Sequence, residues 1–355
     1  MGRGVDAPLP SERFQELALR VFRLQYEGNP VYGAFCRRRG RTPAEVDRWE
    51  DVPAVPTTAF KHVDLVVGDP HRVERTFRTS GTSRGRSARG RHLVPRLALY
   101  RASLLPNLEA HLVPDARDPR LVSLIPHPDE APDSSLSTMI GFLARELCGE
   151  TTWATTSDGN PDPEVVRQAV EAHPEANGGM VLAATAFGLV HLLDALAADG
   201  RRVALPEGSR ILETGGFKGR SRVVSRDELY EAVEEGLGVP GHRIVNEYGM
   251  TELLSQMYEP VLREPLPPRR RHRGPPWLKV RALDPVSLEP MPEGEEGVLA
   301  FYDLANAGSV SAVLTEDVGA VSGDGLDLHG RVAGAEPRGC SLALEDLLDA
   351  RRDGR

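Results

Sequence analysis

The chain has 355 residues, of which 43 are Lys or Arg and 52 are Asp or Glu, so its formal net charge is −9. An acidic balance with 40% hydrophobic residues excludes a disordered polyampholyte and a basic nucleic-acid-binding module, and it predicts a globular protein with one large core or several smaller ones. The 35 glycines and 29 prolines exclude a coiled coil or a helical bundle.

The amino-terminal region predicts helices and then an extended entry into the main body. FQELALRVFRLQ, with Ser11 as its N-cap, predicts an amphipathic helix. A second short helix is predicted after Thr42 and Pro43, and VPAVPTTAFK (52–61) is predicted to be extended. The start of the chain has no apolar run, so we expect no signal peptide.

Short apolar runs then alternate with helical patterns. Strands are predicted at 73–79, 120–126, 179–186, 210–216 and 243–249, and helices at 94–112, 134–149, 163–173, 187–198 and 225–238. This alternation predicts an α/β fold with largely parallel sheets. The most apolar window, 180–196, contains His191 and Asp194 and is too short and too interrupted for a membrane span.

The character of the sequence changes near residue 274. Four short strand-like runs follow, which predict a small β-rich subdomain. The preceding segment, 265–276, carries four arginines, Arg269, Arg270, Arg271 and Arg273. A solvated loop is the favoured interpretation of this segment, and a phosphate-gripping or partner-binding loop is the alternative.

Three reactive-residue patterns point away from common enzyme classes. Cys36, Cys148 and Cys340 lie far apart and show no CxxC spacing, which favours a reducing cytoplasm over a disulfide framework or a zinc site. The histidines show no HxH or HExxH spacing, which disfavours a zinc hydrolase. GTSRG (81–85) matches GxSxG, but the polar, Gly-rich residues after it do not predict the helix that a nucleophile elbow needs.

Two other motifs are more informative, and the first of them suits phosphate binding. RTSGTSRGRSARGRH (78–92) predicts a strand and then a loop whose small residues and hydroxyls suit phosphate oxygens. NEYGMTELLSQMYEP (246–260) predicts a strand that ends at Tyr248 and Gly249, followed by a run that could be helical. The first motif has neither the GK[ST] of a Walker loop nor the GxGxxG of a dinucleotide fold.

Together the two motifs resemble the adenylate-forming superfamily of acyl-CoA synthetases, adenylation domains and luciferases. The resemblance implies their large-domain α/β fold, with stacked, mostly parallel sheets and a small β-rich subdomain, and it implies ATP and Mg²⁺ as cofactors. Thr251 would contact the α-phosphate, Glu252 the magnesium and Asp317 the ribose. Arg331 of LHGRVAG would lie at a hinge and also approach the ribose. The remaining nucleotide-binding residues would be Thr79, Ser80, Gly81, Thr82, Ser83, Gly85, Gly215, Gly216, Tyr248 and Gly249.

The carboxyl-terminal end resembles one branch of this superfamily. VPTTAFK (55–61), PDSSLSTMIGF (132–142), GGFKGRSR (215–222), NEYGMTE and GAEPRGCSLALEDLL (334–348) resemble the acyl-protein synthetases of the fatty-acid reductase complex of bacterial bioluminescence. The usual carboxyl-terminal domain, with its lysine, is expected to be truncated. We therefore predict an adenylation core at 1–274, a β-rich subdomain at 275–331 and a short segment at 332–355. Lys218, or alternatively Lys61, is predicted to replace the missing lysine.

Cys340 is the predicted acyl acceptor, at the position that matches the family's cysteine. It follows Arg338, and SLALEDLLDA predicts a helix that begins near Ser341. A thiol at a helix N-terminus beside an arginine is expected to have a lowered pKa. Cys36 and Cys148, in apolar helical contexts, are predicted to be structural.

The resemblance thus implies a cytoplasmic enzyme that converts a carboxylic acid, expected to be a fatty acid, to acyl-AMP and transfers the acyl group to Cys340. A partner acyl reductase or carrier protein would then receive it, and neither nucleic acid nor a membrane span is expected. Two alternatives stay open. One is an acyl-CoA ligase similar to phenylacetate-CoA ligases, and the other is a catalytically degenerate nucleotide-binding scaffold subunit.

Overall fold

The computed structural model of the chain describes residues 4–79, 89–174, 179–200, 202–215, 224–264, 269–323, 325–332 and 337–353. Within these ranges there are eight α-helices: α1 (Ser11–Gly28), α2 (Pro30–Arg38), α3 (Leu97–Leu112), α4 (Ser135–Glu146), α5 (Pro163–Glu171), α6 (Ala186–Ala198), α7 (Arg226–Leu237) and α8 (Arg338–Asp353). None of these described helices is both long and apolar enough to cross a lipid bilayer.

The same ranges contain thirteen β-strands: β1 (Val55–Pro56), β2 (Arg75–Arg78), β3 (Arg91–Val94), β4 (Arg120–Ser123), β5 (Thr151–Trp153), β6 (Met180–Thr185), β7 (Arg210–Thr214), β8 (Ile244–Tyr248), β9 (Met257–Tyr258), β10 (Leu278–Leu283), β11 (Glu296–Asp303), β12 (Ala312–Ser322) and β13 (Gly325–Arg331). The predicted strands and helices between residues 73 and 249 are all present, with shifts of a few residues at their ends.

The elements form two compact units. The terminal unit comprises Met1–Leu104, Met250–Gln256 and Arg271–Arg355, and the central unit comprises Leu105–Gly249 and Met257–Arg270. The predicted boundaries at 274 and 331 do not separate these units, because the β-rich segment shares the terminal unit with both ends of the chain. Pairing between distant strands joins the amino-terminal region to the β-rich segment: β1 lies parallel to β12, with Val55 opposite Val313.

The central unit is built on a six-stranded sheet of order β5-β4-β6-β7-β8-β9. The first five strands are parallel and β9 is antiparallel, which confirms the predicted, largely parallel sheet. One face packs its apolar residues against α5, α6 and α7. On the other face, the Tyr258 ring stacks on His111 of α3, and the Tyr258 hydroxyl lies 3.8 Å from the sulfur of Met139 in α4.

The terminal unit contains a five-stranded sheet of order β1-β12-β11-β10, in which β13 also pairs with β12. Strands β10, β11, β12 and β13 pair antiparallel, each with the next along the chain, and they correspond to the four runs predicted after residue 274. A separate antiparallel hairpin, β2–β3, completes the described strands of this unit.

Helix α8 packs against α2 in the terminal unit. Its buried residues form one stripe along the helix: Cys340, Ala343, Leu347 and Ala350. At its edge, Arg38 lies 3.5 Å from Asp346 and 3.3 Å from Asp349, and Arg39 lies 3.1 Å from Asp346. These ion pairs are partly solvated and are therefore weak, so burial of the apolar stripe contributes more to the docking of α8.

Several helix boundaries differ from the prediction. Helix α1 includes Ser11, and the residue before the helix is Pro10. The second helix of the chain is α2, which lies before Thr42 and not after it. Its start is stabilised by the Asn29 side chain, which accepts from the Tyr32 N–H at 3.2 Å. The residues after Thr42 form only a turn, in which the Glu45 carboxylate accepts from both the Thr42 N–H and hydroxyl at 2.9 Å.

Two further differences concern the predicted site. The run after Glu252 is not helical, since Met250–Gln256 contains turns and irregular backbone. Helix α8 begins at Arg338 rather than near Ser341, so Cys340 lies inside its first turn.

A glycine in this first turn permits the close approach of α8 to the 285–288 turn. A Cβ at Gly339 would lie 2.6 Å from Cδ2 of Leu288 and 3.1 Å from the carbonyl oxygen of Pro285. We expect Gly339→Ala to weaken the docking of α8 by about 1–3 kcal/mol, the usual cost of overpacking. Amide hydrogen exchange in α8 should accelerate accordingly, whereas Gly241→Ala, where a Cβ would meet no described atom within 4 Å, should leave it unchanged. Unaltered α8 protection in the Gly339 variant would contradict this explanation.

Candidate active site

In the sequence, the predicted phosphate loop is flanked by the paired strands β2 and β3. Thr79 and Gly90 close its base: the Thr79 N–H donates to the Gly90 carbonyl at 3.0 Å, and the Gly90 N–H donates to the Thr79 hydroxyl at 2.9 Å. Arg89 also donates to the carbonyl oxygens of Thr79 and Arg78. The other predicted phosphate-binding residues lie outside the described residues: Ser80, Gly81, Thr82, Ser83 and Gly85.

Two of the predicted adenine-binding residues lie at the carboxyl ends of neighbouring strands in the central unit. Gly215 follows β7 and Tyr248 ends β8, and these strands pair in parallel, with Thr214 opposite Glu247. Gly215 has a φ of +70°, and among the described residues no atom lies within 4 Å of the place that a Cβ would take, so its backbone is bare on that side. Ligands of open parallel sheets bind at this carboxyl edge. Gly216 and Lys218 lie outside the described residues.

Buried carboxyl groups precede these two residues. The Thr214 hydroxyl donates to Glu247 on one face of the sheet. On the other face, the Asn246 amide and the Tyr230 hydroxyl donate to Glu213. Burial raises the pKa of Glu247 to about 7, and it also raises the pKa of Glu213. The Glu247 carboxyl next to Tyr248 is therefore mostly protonated at mildly acidic pH.

The predicted Thr251 and Glu252 lie in the irregular segment Met250–Gln256, which belongs to the terminal unit. His92 of β3 and Asn306 hold the backbone carbonyls of these two residues. Nδ1 of His92 lies 2.7 Å from the Thr251 carbonyl oxygen, and the Asn306 amide donates to the Glu252 carbonyl at 2.8 Å. Because a carbonyl can only accept, Nδ1 is the donor in the first contact.

Asp303, at the end of β11, holds two later residues of the segment, Leu254 and Ser255. Its carboxylate accepts from the Leu254 N–H at 2.9 Å and from the Ser255 hydroxyl at 2.7 Å. Burial raises the pKa of Asp303 to about 6. His92, Asp303 and Asn306, hereafter the clamp, thus bind four of five consecutive residues from Thr251 to Ser255.

The clamp residues were not found by the sequence analysis. The histidine spacing points to no metal site, and His92 is a buried residue whose pKa is lowered to about 4 by burial. Asp303 and Asn306 lie in FYDLAN, at the end of a strand. The only sequence signal was the set of polar side chains in otherwise apolar runs.

Asp317 and Arg331 face each other on β12 and β13. The Arg331 guanidinium donates to the Asp317 carboxylate at 2.9 Å, so the predicted ribose-binding and hinge residues form an ion pair. The Asp317 N–H donates to the hydroxyl of Thr315 at 3.0 Å.

Cys340 is close to the same strand. Its side chain is 1% exposed, and its sulfur lies 3.5 Å from the carbonyl oxygen of Thr315. Three predicted residues that are separated in sequence, Asp317, Arg331 and Cys340, are therefore gathered around β12. Cys36 and Cys148 are also buried, and burial raises the pKa of both thiols to about 12, in keeping with their predicted structural role.

The arginine-rich segment is not a simple solvated loop at Arg270. The Arg270 guanidinium donates to the fully buried Glu259 carboxylate at 2.6 Å and to the Gly241 carbonyl at 3.0 Å. It also lies over the Tyr230 ring, 5.0 Å from its centroid. Arg226 lies 2.8 Å from the other oxygen of Glu259. Arg270 therefore anchors the segment to the central unit, and residues 265–268 lie outside the described residues.

Three comparisons with known proteins bear on this arrangement. The sequence profile of a family described as "Acyl-protein synthetase, LuxE" matches residues 10–349. The chain is 24% identical over 343 residues to the long-chain-fatty-acid–luciferin-component ligase of Vibrio harveyi, covering 94% of this chain and 88% of that protein. It is 21% identical over 346 residues to the ligase of the same name from Aliivibrio fischeri, with the same two coverages.

Solved structures show the same fold. An open conformation of 2-hydroxyisobutyryl-CoA ligase, in complex with 2-HIB-AMP and CoA, matches with a TM-score of 0.67 at 14% identity, covering 91% of this chain and 70% of that one. Its postadenylation state matches with the same TM-score and identity and covers 93% and 70%. The fold is therefore that of the adenylate-forming enzymes, as the sequence predicted.

The buried Glu247 gives a pH dependence that can be measured. Its pKa in the folded protein, about 7, is raised from 4.5, so the folded state binds this proton more tightly than the unfolded state does. Its stabilising contribution is present below about pH 4.5 and is lost as the pH rises through 7, by roughly 3 kcal/mol in total.

We expect Glu247→Gln to remove this loss. The free energy of unfolding of the variant, minus that of the parent, should increase between pH 4.5 and pH 8. Urea denaturation of both proteins at each pH measures this difference. Glu295→Gln, at an exposed position, is the control. If the difference in unfolding free energy stays constant across this pH range, the pKa of Glu247 is not raised by burial.

Proposed function

We propose, from the premise that this chain belongs to the LuxE acyl-protein synthetase family, that it uses ATP and Mg²⁺ to convert a carboxylic acid to an acyl adenylate and transfers the acyl group to Cys340. As a member of that family it is a ligase. The names of its relatives in Vibrio harveyi and Aliivibrio fischeri support a fatty acid as the substrate. The proposal further includes a cytoplasmic location and a partner protein, an acyl reductase or carrier, as the final acceptor.

The chemistry of the donor groups fits a nucleotide. Asp317 offers a carboxylate that can accept hydrogen bonds from both ribose hydroxyls, and it is 13% exposed at the side chain. The bare backbone at Gly215 leaves space for a flat ring, and we assign Gly215, Gly216, Tyr248 and Gly249 to adenine. Thr251 and the hydroxyl and amide groups of the 79–85 loop are assigned to phosphate.

Glu252 fits the magnesium. Among the described residues there is no cluster of three or more His, Cys, Asp or Glu side chains that could hold a metal ion. Mg²⁺ usually takes one or two protein carboxylates and completes its shell with water and substrate phosphates. A single carboxylate at Glu252 is therefore compatible with Mg²⁺ bound together with ATP, where the ion would neutralise phosphate charge.

The proposed reaction has two steps. In the first, a carboxylate oxygen of the acid attacks the α-phosphorus of ATP and the bond to pyrophosphate breaks, which gives a mixed anhydride with a good leaving group. Lys218, or alternatively Lys61, would stabilise the charge that develops on the phosphate. In the second, the Cys340 thiol gives up its proton to solvent, the resulting thiolate attacks the acyl carbon, the acyl–oxygen bond breaks and AMP departs.

The position of Cys340 near Asp317 is the observation that supports this proposal best. The sulfur lies 3.5 Å from the Thr315 carbonyl, two residues before Asp317 on β12. The candidate acyl acceptor, in α8, thus contacts the strand that carries the candidate ribose ligand. A small movement of the first turn of α8 is needed to expose the thiol, because Cys340 is 1% exposed.

The same burial supports a second candidate function. A cysteine that stays buried in the first turn of α8 is a structural residue, and the acyl group would then pass to an external thiol such as CoA. The chain would in that case be an acyl-CoA ligase. A scaffold subunit without turnover would give neither product.

Glu252→Gln tests the first step. We expect it to abolish the Mg²⁺-dependent exchange of pyrophosphate into ATP, because a hard cation needs an anionic oxygen, while the protein stays folded by circular dichroism. Thr251→Val should reduce the exchange less severely. Exchange at the parent rate in the glutamine variant would remove Glu252 from the site.

Cys340→Ser tests the second step. The parent protein, incubated with ATP, Mg²⁺ and a panel of carboxylic acids, should gain a hydroxylamine-labile acyl mass increment. The serine variant should still release pyrophosphate yet lack this increment, and Cys148→Ser, which alters another buried cysteine, should retain it.

Two results would redirect the proposal. Persistence of the increment in Cys340→Ser would exclude Cys340 as the acceptor. Release of acyl-CoA by the parent when CoA is supplied, without any acylated protein, would establish the ligase alternative.

A further inference from the structure

The segment that carries Thr251 and Glu252 is held by side chains. Met250–Gln256 is neither helical nor part of a strand, so its backbone groups need other partners. The clamp supplies them: His92 binds the Thr251 carbonyl, Asn306 binds the Glu252 carbonyl, and Asp303 binds the Leu254 N–H.

We propose that His92 and Asn306 are positioning residues that fix the orientation of Glu252, and with it the magnesium-binding carboxylate. This inference rests on the role proposed above for Glu252. Neither residue is assigned to contact substrate, nucleotide or metal, and both act through the backbone.

The geometry explains how two carbonyl contacts can orient one side chain. The Thr251 carbonyl belongs to the peptide plane before the Cα of Glu252, and the Glu252 carbonyl belongs to the plane after it. Since each peptide unit is planar, holding both carbonyls fixes both backbone dihedral angles of Glu252. The direction of its Cα–Cβ bond is then determined, and the carboxylate is left with only side-chain rotations.

The two clamping side chains are also in contact with each other. The Asn306 amide nitrogen donates to the carbonyls of Glu252 and Val310, each at 2.8 Å, so its oxygen faces His92. Nε2 of His92 lies 2.9 Å from this oxygen, whereas Nδ1 is closer to its own acceptor, at 2.7 Å from the Thr251 carbonyl. Both ring nitrogens face oxygens that can only accept, and the neutral ring has one N–H. We assign that proton to Nδ1, which makes the shorter contact, so the approach of Nε2 to the Asn306 oxygen is a packing contact and not a hydrogen bond. Both amide hydrogens of Asn306 are used, and the amide cannot rotate without losing them.

The surroundings of His92 further restrict its ring. It is buried, and the ring of Phe60 packs edge-to-face against it with centroids 5.7 Å apart. A ring that is packed on one side, bonded at Nδ1 and in contact with Asn306 at Nε2 has a single orientation. The Thr251 carbonyl is consequently bound by a rigid group, as expected where a reacting side chain must be reproducibly placed.

The test uses the full chain and the near-isosteric variant Asn306→Asp, which removes both amide donors. Hydrogen–deuterium exchange of the 250–256 peptide, measured without nucleotide, should rise about tenfold, because its backbone loses an anchor. In pyrophosphate exchange, the half-saturating Mg²⁺ concentration should rise about 10–100-fold, the usual effect of removing a group that orients a metal ligand. The KM for the acid should not change.

Two further variants keep the test decisive. His92→Gln retains a donor and should give the same changes more weakly, and it replaces Asn306→Asp if that variant does not fold. Asn29→Ala is the matched control: it removes another buried asparagine of the terminal unit, the cap of α2, and should lower stability without altering the Mg²⁺ dependence.

The outcomes separate this inference from the proposed function. Parent-like Mg²⁺ dependence in both clamp variants, with an active parent, overturns the positioning role alone. An equal Mg²⁺ shift in Asn29→Ala also overturns it, because the effect would then follow from stability. If the parent exchanges no pyrophosphate with any acid tested, the proposed function fails and this inference fails with it.

Discussion

The candidate site depends on the rule that buried backbone polar groups must be hydrogen-bonded. Between Thr251 and Ser255 the chain is irregular, so the rule is met by side chains from β3 and from the end of β11. Asp303 is the centre of this arrangement: it binds the segment and also accepts from the Ala305 N–H at 2.9 Å. The same carboxylate thus shapes the segment that carries Glu252 and the turn that carries Asn306.

A chain of hydroxyl groups connects this centre to the rest of the terminal unit. The Ser255 hydroxyl donates to Asp303, and it lies 2.8 Å from the hydroxyl of Ser103 in α3. The indole N–H of Trp277 donates to Ser103, also at 2.8 Å. Because every member is buried, removal of one member leaves a polar group without its partner, which costs more than the bond itself contributes. The network therefore favours one conformation of the segment.

Cys340 illustrates how a fold can restrain a nucleophile. The thiol lies in the first turn of α8, with its sulfur near a β12 carbonyl, and the helix is docked through a buried stripe with weak ion pairs at its edge. The first turn of α8 has to move away from β12 for the thiol to become exposed. The proposed acyl transfer requires this opening, whereas the ligase alternative does not.

The sequence by itself determined the α/β class, the parallel sheet of the central unit and the superfamily, because strand and helix periodicity and short motifs are local signals. The same motifs supply the candidate roles of Tyr248, Thr251, Glu252 and Asp317, which stay predictions. The tertiary structure decided the division into units, the burial of Cys340 and the clamp. These depend on pairings between distant residues, such as β1 with β12 and His92 with Thr251 and Asn306. A local pattern can indicate that His92 is buried among apolar neighbours, but only the fold determines which carbonyl it meets.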